Sequence, residues 1–555
     1  MRTRPLILAA MAAFAACLIA QAQSPNISGP SVTAVVNGAS YITPGLPNAG
    51  IAQGSIFVVF GSDLGPANIS FAPTAFQSTT LSNTSVSVTV AGTTVNALMY
   101  YTSAGQVAAL LPSNTPTGTG AITVAYNGQT SSPVPIAVVA NNLGIFTIGS
   151  NGQGPGIVTY PDYSLVSDAK GSQCGGPNTT CGAANPGDTL ILWATGLGPV
   201  SGNDASGAGL GQNMPNIPLT VWLGGVQASV TYQGRSGCCI GEDQIVFKVP
   251  NNVPTGCAVP LLVQIGNQIS NNTVMPVANG SRNCTPTNPA VASINVEQAV
   301  NAGPVTYGDI ELHRTLNDSG TGYEDLARFQ FSRFLTYPPG SQPFFVSYAD
   351  DPPLGTCLVF NNLNAGFSPP VASSANADAG SEFTITGPNG NIVAAASPGL
   401  FRATLSAAGT YLSPGAYTVS GAGGADIGPF NAAVTIFPPP SVTSPANLVV
   451  PPVTRSSGMT ITWTGGSPNA YVLILVGGAT DNTDTNGAVA ACYVAANAGT
   501  FTIPPYALLP LPAGNFTEFV FSARTASVPF TATGLSLGTL EAADDGPSIF
   551  GFTLK

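Results

Sequence analysis

The sequence predicts an all-β protein made of tandem immunoglobulin-like β-sandwich domains. Three observations support this prediction: an internal repeat, apolar residues that alternate with a period of two, and an abundance of turn-forming residues. Of the 555 residues, 65 are glycine and 49 are proline, while 44% are hydrophobic and only 7% are charged. This composition excludes disorder driven by charge and favours many short strands joined by tight turns.

The internal repeat gives the strongest indication of the fold. Three aligned blocks carry it, the first two at an offset of 133 and the third, after an insertion in the second copy, at an offset of 138. In these blocks apolar residues alternate as in a half-buried strand, so we expect a duplicated β-domain. The blocks are QGSIFVVFGSDLGP (53–66) with PGDTLILWATGLGP (186–199), SVSVTVAG (85–92) with PLTVWLGG (218–225), and QVAALLPSNTPTG (106–118) with QIVFKVPNNVPTG (244–256).

Turn-rich and proline-rich segments divide the chain into domains. The linker NNLGIFTIGSNGQG separates the repeats, and the segments TPTNP and FPPPSVTSP mark two further boundaries. We predict one signal peptide and four sandwiches: residues 1–22 as the signal peptide, 31–139 as the first repeat, 154–284 as a disulfide-rich second repeat, 286–437 as a β-sandwich, and 438–555 as an immunoglobulin-like or fibronectin-like sandwich.

The first residues predict export. Arg2 and Arg4 precede an apolar run that ends in a small-residue cleavage motif at Ala22, which is the order found in a secretory signal. An alternative interpretation makes Cys17 a lipid-anchored residue, although Phe14 is a poor match for the aliphatic residue usual at that place. No other apolar run approaches the ~20 residues needed to span a bilayer, so we expect an extracellular or cell-surface protein, with the periplasm as an alternative.

The charge balance restricts the partners. With 24 acidic and 13 basic residues, the chain carries a net charge of −11. Counterion release from a phosphate backbone requires a basic surface, so binding to nucleic acid or to anionic lipid is excluded.

Eight cysteines remain after the signal peptide, and an even number in an exported chain indicates disulfides. The spacing leaves the pairing open. Cys174 can pair with Cys181, and Cys257 with Cys284, to close loops in the second repeat. The adjacent Cys238 and Cys239 can bond to each other or to other cysteines. Cys357 and Cys492 can bridge two domains or remain free buried thiols. The candidates are Cys174, Cys181, Cys238, Cys239, Cys257, Cys284, Cys357 and Cys492.

The aligned blocks also carry a family resemblance. GSIFVVFGSDLGP with QVAALLPSNTPTG, and GDTLILWATGLGP with QIVFKVPNNVPTG, resemble a family of secreted acidobacterial proteins with duplicated IPT/TIG-like domains. In the C-terminal half, LSPGAYTVSGAGGADIGPFNA and TITWTGG are similar to segments of the same group. The resemblance implies an exported immunoglobulin-like architecture. It supplies no reaction, ligand or catalytic residue.

Catalytic patterns are weak. The single histidine, His313, has Glu311 and Asp318 nearby in the chain, and any triad or two-histidine metal chemistry would have to use it. The one G-x-S-x-G match, around Ser536, has no acid and histidine after it in the order that a hydrolase needs.

Acidic doublets are the other possible source of catalytic residues, because glycosidases use two carboxylates. The sequence does not place two of them across a cleft. The doublets are Glu242-Asp243, Glu324-Asp325, Asp350-Asp351 and Asp544-Asp545. We therefore predict a protein that is not an enzyme and has no cofactor.

A structural calcium ion is the one metal that the sequence suggests. Asn482, Asp484 and Asn486, with Asp481 adjacent, fit the opening of a calcium loop. The place of the closing bidentate Glu is taken by Tyr493, and a polar hairpin turn has the same composition. Asp318, Glu324 and Asp325 form a looser second candidate.

Trp222 is the candidate ligand contact. The repeat alignment places it opposite Thr89, on the face away from the core positions Leu219, Val221 and Leu223. An outward tryptophan can stack on a sugar or dock a partner. The alternative is that the inserted Cys238–Cys239 loop or an adjoining domain covers it.

These observations favour a non-catalytic exported protein that binds an extracellular glycan or protein, as an adhesion module does. Two alternatives remain open at this point: a secreted carbohydrate-active enzyme or its accessory module, and a structural spacer or surface-layer component.

Overall fold

The computed structural model describes residues 29–168, 181–288, 305–317, 322–334, 350–361, 374–395, 400–446, 450–480, 486–515, 517–550 and 552–555. The predicted signal peptide and Cys17 lie outside these residues. Within them the regular structure is almost entirely β-strand, which confirms the all-β class. The only α-helix of the described part is the single turn α1 (Pro505–Leu508), and no helix there is long and apolar enough to cross a membrane. Single 3₁₀ turns occupy Asp204–Ser206, Arg455–Ser457 and Ala496–Ala498.

The first repeat is a sandwich of two sheets. Its strands are β1 (Ser31–Asn37), β2 (Ile51–Ala52), β3 (Ile56–Ser62), β4 (Ser70–Phe71), β5 (Thr84–Val90), β6 (Thr93–Asn96), β7 (Leu98–Thr102), β8 (Gln106–Leu110), β9 (Gly118–Tyr126), β10 (Gln129–Thr130) and β11 (Val134–Val139). The sheet orders are β1-β3-β8-β7-β4 and β2-β11-β9-β5-β6, with β10 paired to β9. Along β5, buried and half-buried residues alternate strictly, because every second side chain enters the space between the sheets.

The second repeat folds around a core of its own. Its strands are β12 (Gly144–Ile145), β13 (Val158–Thr159), β14 (Thr189–Thr195), β15 (Leu219–Leu223), β16 (Val226–Arg235), β17 (Asp243–Lys248), β18 (Gly256–Ile265), β19 (Gln268–Ile269) and β20 (Thr273–Val277). The order is β12-β14-β17-β16-β15-β18-β19, and β13 and β20 pair with β14 and β18. The long strand β16 pairs with both β15 and β17 and has a bulge between Val230 and Tyr232, so it joins the two layers.

Strand register shows that the two repeats are equivalent. In the first, Phe57 lies opposite Ala109 in the β3–β8 pair; in the second, Leu190 lies opposite Phe247 in the β14–β17 pair. These positions are related by the offsets of 133 and 138 seen in the sequence. All four side chains are buried in the cores of their repeats. The duplication therefore extends to the pairs that form each core.

The predicted linker between the repeats needs a correction. Residues 144–145 form β12 and pair with β14, so the second sandwich begins before residue 154. Buried hydrogen bonds then join the two repeats: the amide nitrogen of Asn37 donates to the carbonyl of Asn142 over 3.1 Å, and the backbone N–H of Ile56 donates to the Thr195 hydroxyl over 2.9 Å. Asp204 also accepts two bonds of 2.8 Å from Ser113. The linker is thus part of a packed junction.

The C-terminal half combines one large sheet with two small ones. Its strands are β21 (Val305–Leu316), β22 (Tyr323–Phe334), β23 (Thr356–Asn361), β24 (Ser374–Asn376), β25 (Glu382–Gly387), β26 (Gly390–Ala395), β27 (Leu400–Ser406), β28 (Gly415–Gly421), β29 (Phe430–Ile436), β30 (Ser441–Ser444), β31 (Met459–Thr464), β32 (Ala470–Ala479), β33 (Gly487–Ala495), β34 (Thr500–Ile503), β35 (Thr517–Thr525), β36 (Val528–Phe530) and β37 (Leu537–Phe550). The large sheet has the order β23-β33-β32-β35-β37-β21-β22-β24, with β27 on β22 and β36 on β37. The small sheets are β26-β25-β28-β29 and β30-β31-β34.

The large sheet corrects the predicted boundary at residues 437 and 438. Strand β37 pairs in parallel with β21 along its first part and antiparallel with β35 along its second part. Strands from both predicted domains therefore share one sheet, and each small sheet covers one part of it. One core surrounds Phe329 and Phe383, and the other surrounds Trp463 and Phe521. The sequence could not reveal the shared sheet, because nothing in the 14 residues of β37 indicates that the strand pairs with strands of both predicted domains.

Three disulfides lie in the described residues. Cys257 is joined to Cys284, Cys357 to Cys492, and the vicinal Cys238 to Cys239. The Cys357–Cys492 bond links the paired strands β23 and β33 within the large sheet. Cys181 is also disulfide-bonded, whereas Cys174 lies outside the described residues.

Candidate ligand-binding groove

A groove of about 700 Å³ separates the second repeat from the C-terminal half, and we call it the Trp222 groove. One wall comes from β15, β16 and the β18–β19 turn. The other comes from α1 and β34. The residues that line it are all uncharged: Pro218, Thr220, Trp222, Gly224, Gly225, Gln227, Gln264, Gly266, Asn267, Gly355, Ser456, Phe501, Thr502, Pro504, Pro505, Tyr506 and Leu509.

Trp222 stands on the outer face of β15, as the alternation of the strand requires. Its neighbours Val221 and Leu223 are fully buried in the core of the second repeat. The half-buried indole packs against the core of the C-terminal half, and its ring centre lies 5.1 Å from that of Tyr506 at an interplanar angle of 41°. The adjoining half thus covers part of Trp222, the alternative that the sequence left open, while the side chain still lines the groove.

A hydrogen bond fixes the orientation of the indole. Its Nε1–H donates to Oε1 of Gln264 on the neighbouring strand β18 over 3.0 Å, and the Gln264 amide donates to the carbonyl of Gly266 over 2.8 Å. A bulky aromatic side chain held in this way presents a fixed surface, so little conformational entropy is lost when a ligand contacts it.

Two tight turns bring the walls together. The β15–β16 hairpin turns through Gly224 and Gly225 with φ of +56° and +78°, a conformation that favours glycine. A Cβ on Gly225 would lie 3.1 Å from the Tyr506 hydroxyl, so a side chain there would require the tyrosine to shift by a few tenths of an ångström. On the opposite wall, Pro505 begins α1 where a missing N–H costs nothing. Burial raises the pKa of Tyr506 to about 12, so its hydroxyl stays protonated as a donor.

Polar side chains surround the aromatic centre. Gln227, Asn267, Ser456 and Thr502 are exposed at the rim, and Thr220 is half-buried beside them. Amides and hydroxyls offer both donors and acceptors without charge. The groove therefore combines an aromatic centre with a neutral polar rim, and the sequence had indicated only Trp222 of this set, because the facing residues lie almost 300 positions away.

The predicted calcium loop falls mostly outside the described residues, which include Asn486 but not Asp481, Asn482 or Asp484. The Asn486 side chain has other partners: its Oδ1 accepts from the Thr43 hydroxyl over 2.8 Å, and its Nδ2 donates to the carbonyl of Pro44 over 2.7 Å. Asn486 therefore joins the C-terminal half to the first repeat. In the second candidate, Asp325 is fully buried and accepts from the backbone N–H groups of Tyr411 and Leu412, so its carboxylate serves a turn.

The large sheet carries a cluster of charges that the sequence did not reveal. Arg524 on β35 lies 3.3 Å from Glu311 on β21 and 3.1 Å from Glu541 on β37. Burial, opposed by Arg524, raises the pKa of Glu541 to about 7. His313 contacts Asp545 over 2.6 Å. Only the folded register shows this cluster, because its members are up to about 230 residues apart.

This cluster does not form a triad in the described residues. Burial lowers the pKa of His313, but the hydrogen bond and charge of Asp545 outweigh it, so the net shift is upward. A general base works best with a pKa near the operating pH and an open ring nitrogen next to a nucleophile. Ser536, the G-x-S-x-G serine, instead accepts from the backbone N–H of Thr306 over 3.1 Å. Glu311, Arg524 and Glu541 form an ion-pair network, and such networks can perturb pKa values with or without catalysis.

No family model and no curated protein matches the chain. Among solved structures it is similar to domains 5–6 of the S-layer protein SbsC, with 12% identity, a TM-score of 0.15, and coverage of 46% of this chain and 100% of that one. It is also similar to a Bacteroides ovatus SGBP-B protein from a mixed-linkage glucan utilization locus, with 11% identity, a TM-score of 0.12, and coverage of 86% and 98%. For the plexin A4 extracellular region the identity is 9%, the TM-score 0.13, and the coverage 84% of this chain but only 34% of that one. Likenesses at this level carry no functional argument.

Proposed function

We propose that this chain is an exported, non-catalytic binding protein that holds a neutral glycan in the Trp222 groove. The observation that carries the proposal is the pairing of Trp222 with Tyr506 across two sequence-distant units, within a rim of uncharged amides and hydroxyls. Sugars present an apolar ring face and a ring of hydroxyls, which match an aromatic surface and neutral donors and acceptors.

The absence of charge among the described lining residues supports a neutral ligand. A sulfated or uronic-acid glycan needs cations for its anionic groups, and none of the 17 residues that line the groove is charged. A neutral oligosaccharide is therefore the ligand that this chemistry fits.

Export supports an extracellular ligand. The predicted signal peptide precedes the folded chain, and the disulfides of the described residues are typical of oxidising compartments. The net charge of −11 makes anionic polymers unfavourable partners at long range.

A glycan array with the mature chain tests the proposal. We expect binding to one or a few neutral polysaccharides, and Trp222→Ala should weaken it by at least about tenfold, or ~1.4 kcal/mol, as loss of an interface aromatic does. The matched control is Tyr163→Ala, because Tyr163 is an aromatic that is 66% exposed and lies outside the groove. Equal binding by wild type and Trp222→Ala, or no neutral glycan bound at all, would reject the proposal in favour of a structural spacer or surface-layer component.

A carbohydrate-active enzyme is the second candidate, and one observation favours it. Glu541, with its pKa raised to about 7, lies close to Glu311, and an acid with a raised pKa beside a second carboxylate is the pattern of a glycosidase. Assays on a polysaccharide panel with Glu541→Gln distinguish the two functions. Hydrolysis that this variant abolishes would establish the enzyme, whereas the binding proposal expects no turnover by either protein.

A further inference from the structure

The vicinal disulfide has no structural purpose that chain topology can supply. A disulfide stabilises a fold mainly by closing a loop in the unfolded chain, and the effect grows with loop length. Cys257–Cys284 and Cys357–Cys492 span 27 and 135 residues, but Cys238–Cys239 spans one. Its contribution to stability through loop closure is therefore negligible, and a chemical role becomes the better explanation.

Other interactions hold the loop that carries this bond. Arg235 and Asp243, at the ends of β16 and β17, form a buried ion pair of 2.8 Å, and the second guanidinium nitrogen of Arg235 donates to the carbonyl of Gly198. Inside the loop, the Ser236 hydroxyl accepts from the N–H of Cys239 and donates to its carbonyl, each over 3.0 Å. None of these interactions uses the S–S bond, so we expect the loop to keep its shape when that bond is reduced.

The pair is accessible. It lies at the wall of a second groove, of about 560 Å³, where the first and second repeats meet beside Tyr41, Phe76 and Tyr100. Cys238 is exposed and Cys239 half-buried. A small reductant or a metal ion in solution can reach both sulfurs.

Glu242 completes a set of three ligands. One carboxylate oxygen of Glu242 and the two Sγ atoms all lie within 4.8 Å of one another. Two thiolates and a carboxylate are ligands that Zn²⁺ accepts in a tetrahedral site with water in the fourth position.

We propose that Cys238 and Cys239 are a reducible pair whose dithiol form, together with Glu242, binds a divalent thiophilic metal ion such as Zn²⁺. The reductant is a dithiol: its two thiols give two electrons and two protons, the S–S bond of the pair breaks, two S–H groups form, and the dithiol is oxidised to its own disulfide. Metal binding then releases the two thiol protons, because thiolates are the ligands. The oxidised protein has no such site, so the redox state of the groove decides whether metal binds.

The test uses the mature chain under native conditions. After mild treatment with a dithiol and removal of the reagent, we expect two titratable thiols per chain, which alkylation and peptide mapping place at Cys238 and Cys239. The reduced protein should then withdraw one Zn²⁺ per chain from a chromophoric chelator, and Cd²⁺ should give a sulfur-to-metal charge-transfer band. The oxidised protein should do neither.

Variants separate this site from general metal binding. Cys238→Ser/Cys239→Ser should abolish Zn²⁺ uptake, and Glu242→Gln should weaken it at least about tenfold, since even outer-sphere partners contribute 10- to 100-fold. Glu382→Gln, at an exposed carboxylate on β25, should change nothing. If the native protein releases no thiols while Cys257–Cys284 and Cys357–Cys492 stay intact, or if the reduced wild type binds no more metal than the double serine variant, the proposal is wrong.

Discussion

The first repeat has Thr89 where the second has Trp222, although their core pairs occupy the same register. The hairpin after Thr102 is also short, whereas the equivalent hairpin after Gln233 is longer and carries the Arg235–Asp243 pair. Thr89 bonds the Thr94 hydroxyl across its own hairpin over 2.8 Å, whereas Trp222 contacts a different part of the chain. The duplicated core is thus constant, and the outer face of one strand and one hairpin loop differ. Contacts between units, and the grooves beside them, therefore use positions that are not required for the shared fold.

The largest effect should come from the charge pair that only the second repeat has. Arg235→Met leaves Asp243 buried without its partner, and breaking a buried pair costs about 3 to 5 kcal/mol. A change near the end of the corresponding strand in the first repeat, Thr102→Val, removes one hydroxyl bond to Thr84 and should cost only about 1 kcal/mol. Hydrogen exchange of β14 and β17, compared with β3 and β8, measures each loss in its own repeat.

A rescue variant sharpens this result. In Arg235→Met/Asp243→Leu no charge is left buried, so most of the lost stability should return. If the double variant is as unstable as the single one, the loss comes from packing and not from the unpaired carboxylate.

The shared core predicts matched effects. Val88 and Val221 are aligned, fully buried and at the centre of their strands, so Val88→Ala and Val221→Ala should each cost about 2 to 3 kcal/mol from lost transfer free energy and the cavity left behind. The loss of stability in each repeat can be measured by denaturant unfolding, with amide hydrogen exchange protection as the readout. A difference above about 1.5 kcal/mol between the two variants would contradict equivalent cores.

Two partly buried carboxyl groups of the C-terminal half should make stability depend on pH. Burial, opposed by backbone hydrogen bonds, raises the pKa of Asp350 to about 7, and burial, opposed by Arg524, does so for Glu541. The folded state thus binds protons that the unfolded state has released, so this contribution is complete below about pH 4 and is lost as the pH rises through about 7. The Tm should therefore rise as the pH is lowered from 8 to 5. Each kcal/mol gained in the free energy of unfolding should raise it by about 2 to 4 °C. Scanning calorimetry of Asp350→Asn should show a smaller rise, and an unchanged slope would contradict the assignment.

Much of the fold could be predicted from the sequence. The alternation in β5 and β15 and the repeated Leu-Gly-Pro blocks depend on local chemistry, and local chemistry determined those strands. The shared large sheet could not be predicted, because β21 and β37 pair in parallel across more than 200 residues and no local pattern records which distant strand lies next to which. Residue 144 was likewise placed in a linker, because a two-residue strand has no periodicity.

The candidate site divides in the same way. Trp222 could be predicted because the alternation of its strand and its alignment with Thr89 place this large side chain on the outer face. Tyr506 could not, since its ring reaches the groove only through the turn after β34. The Glu311–Arg524–Glu541 cluster was missed for the same reason: three strands bring it together, and each charge alone looks like an ordinary surface residue.

The most direct test of the central claim is titration calorimetry of the mature chain with the neutral oligosaccharide found on the array, carried out in parallel on Trp222→Ala and Thr89→Ala. We expect Trp222→Ala to lose binding by at least about tenfold and Thr89→Ala, at the aligned position of the first repeat, to bind like the wild type. Equal affinities for all three proteins would contradict a ligand site at the junction of the second repeat and the C-terminal half.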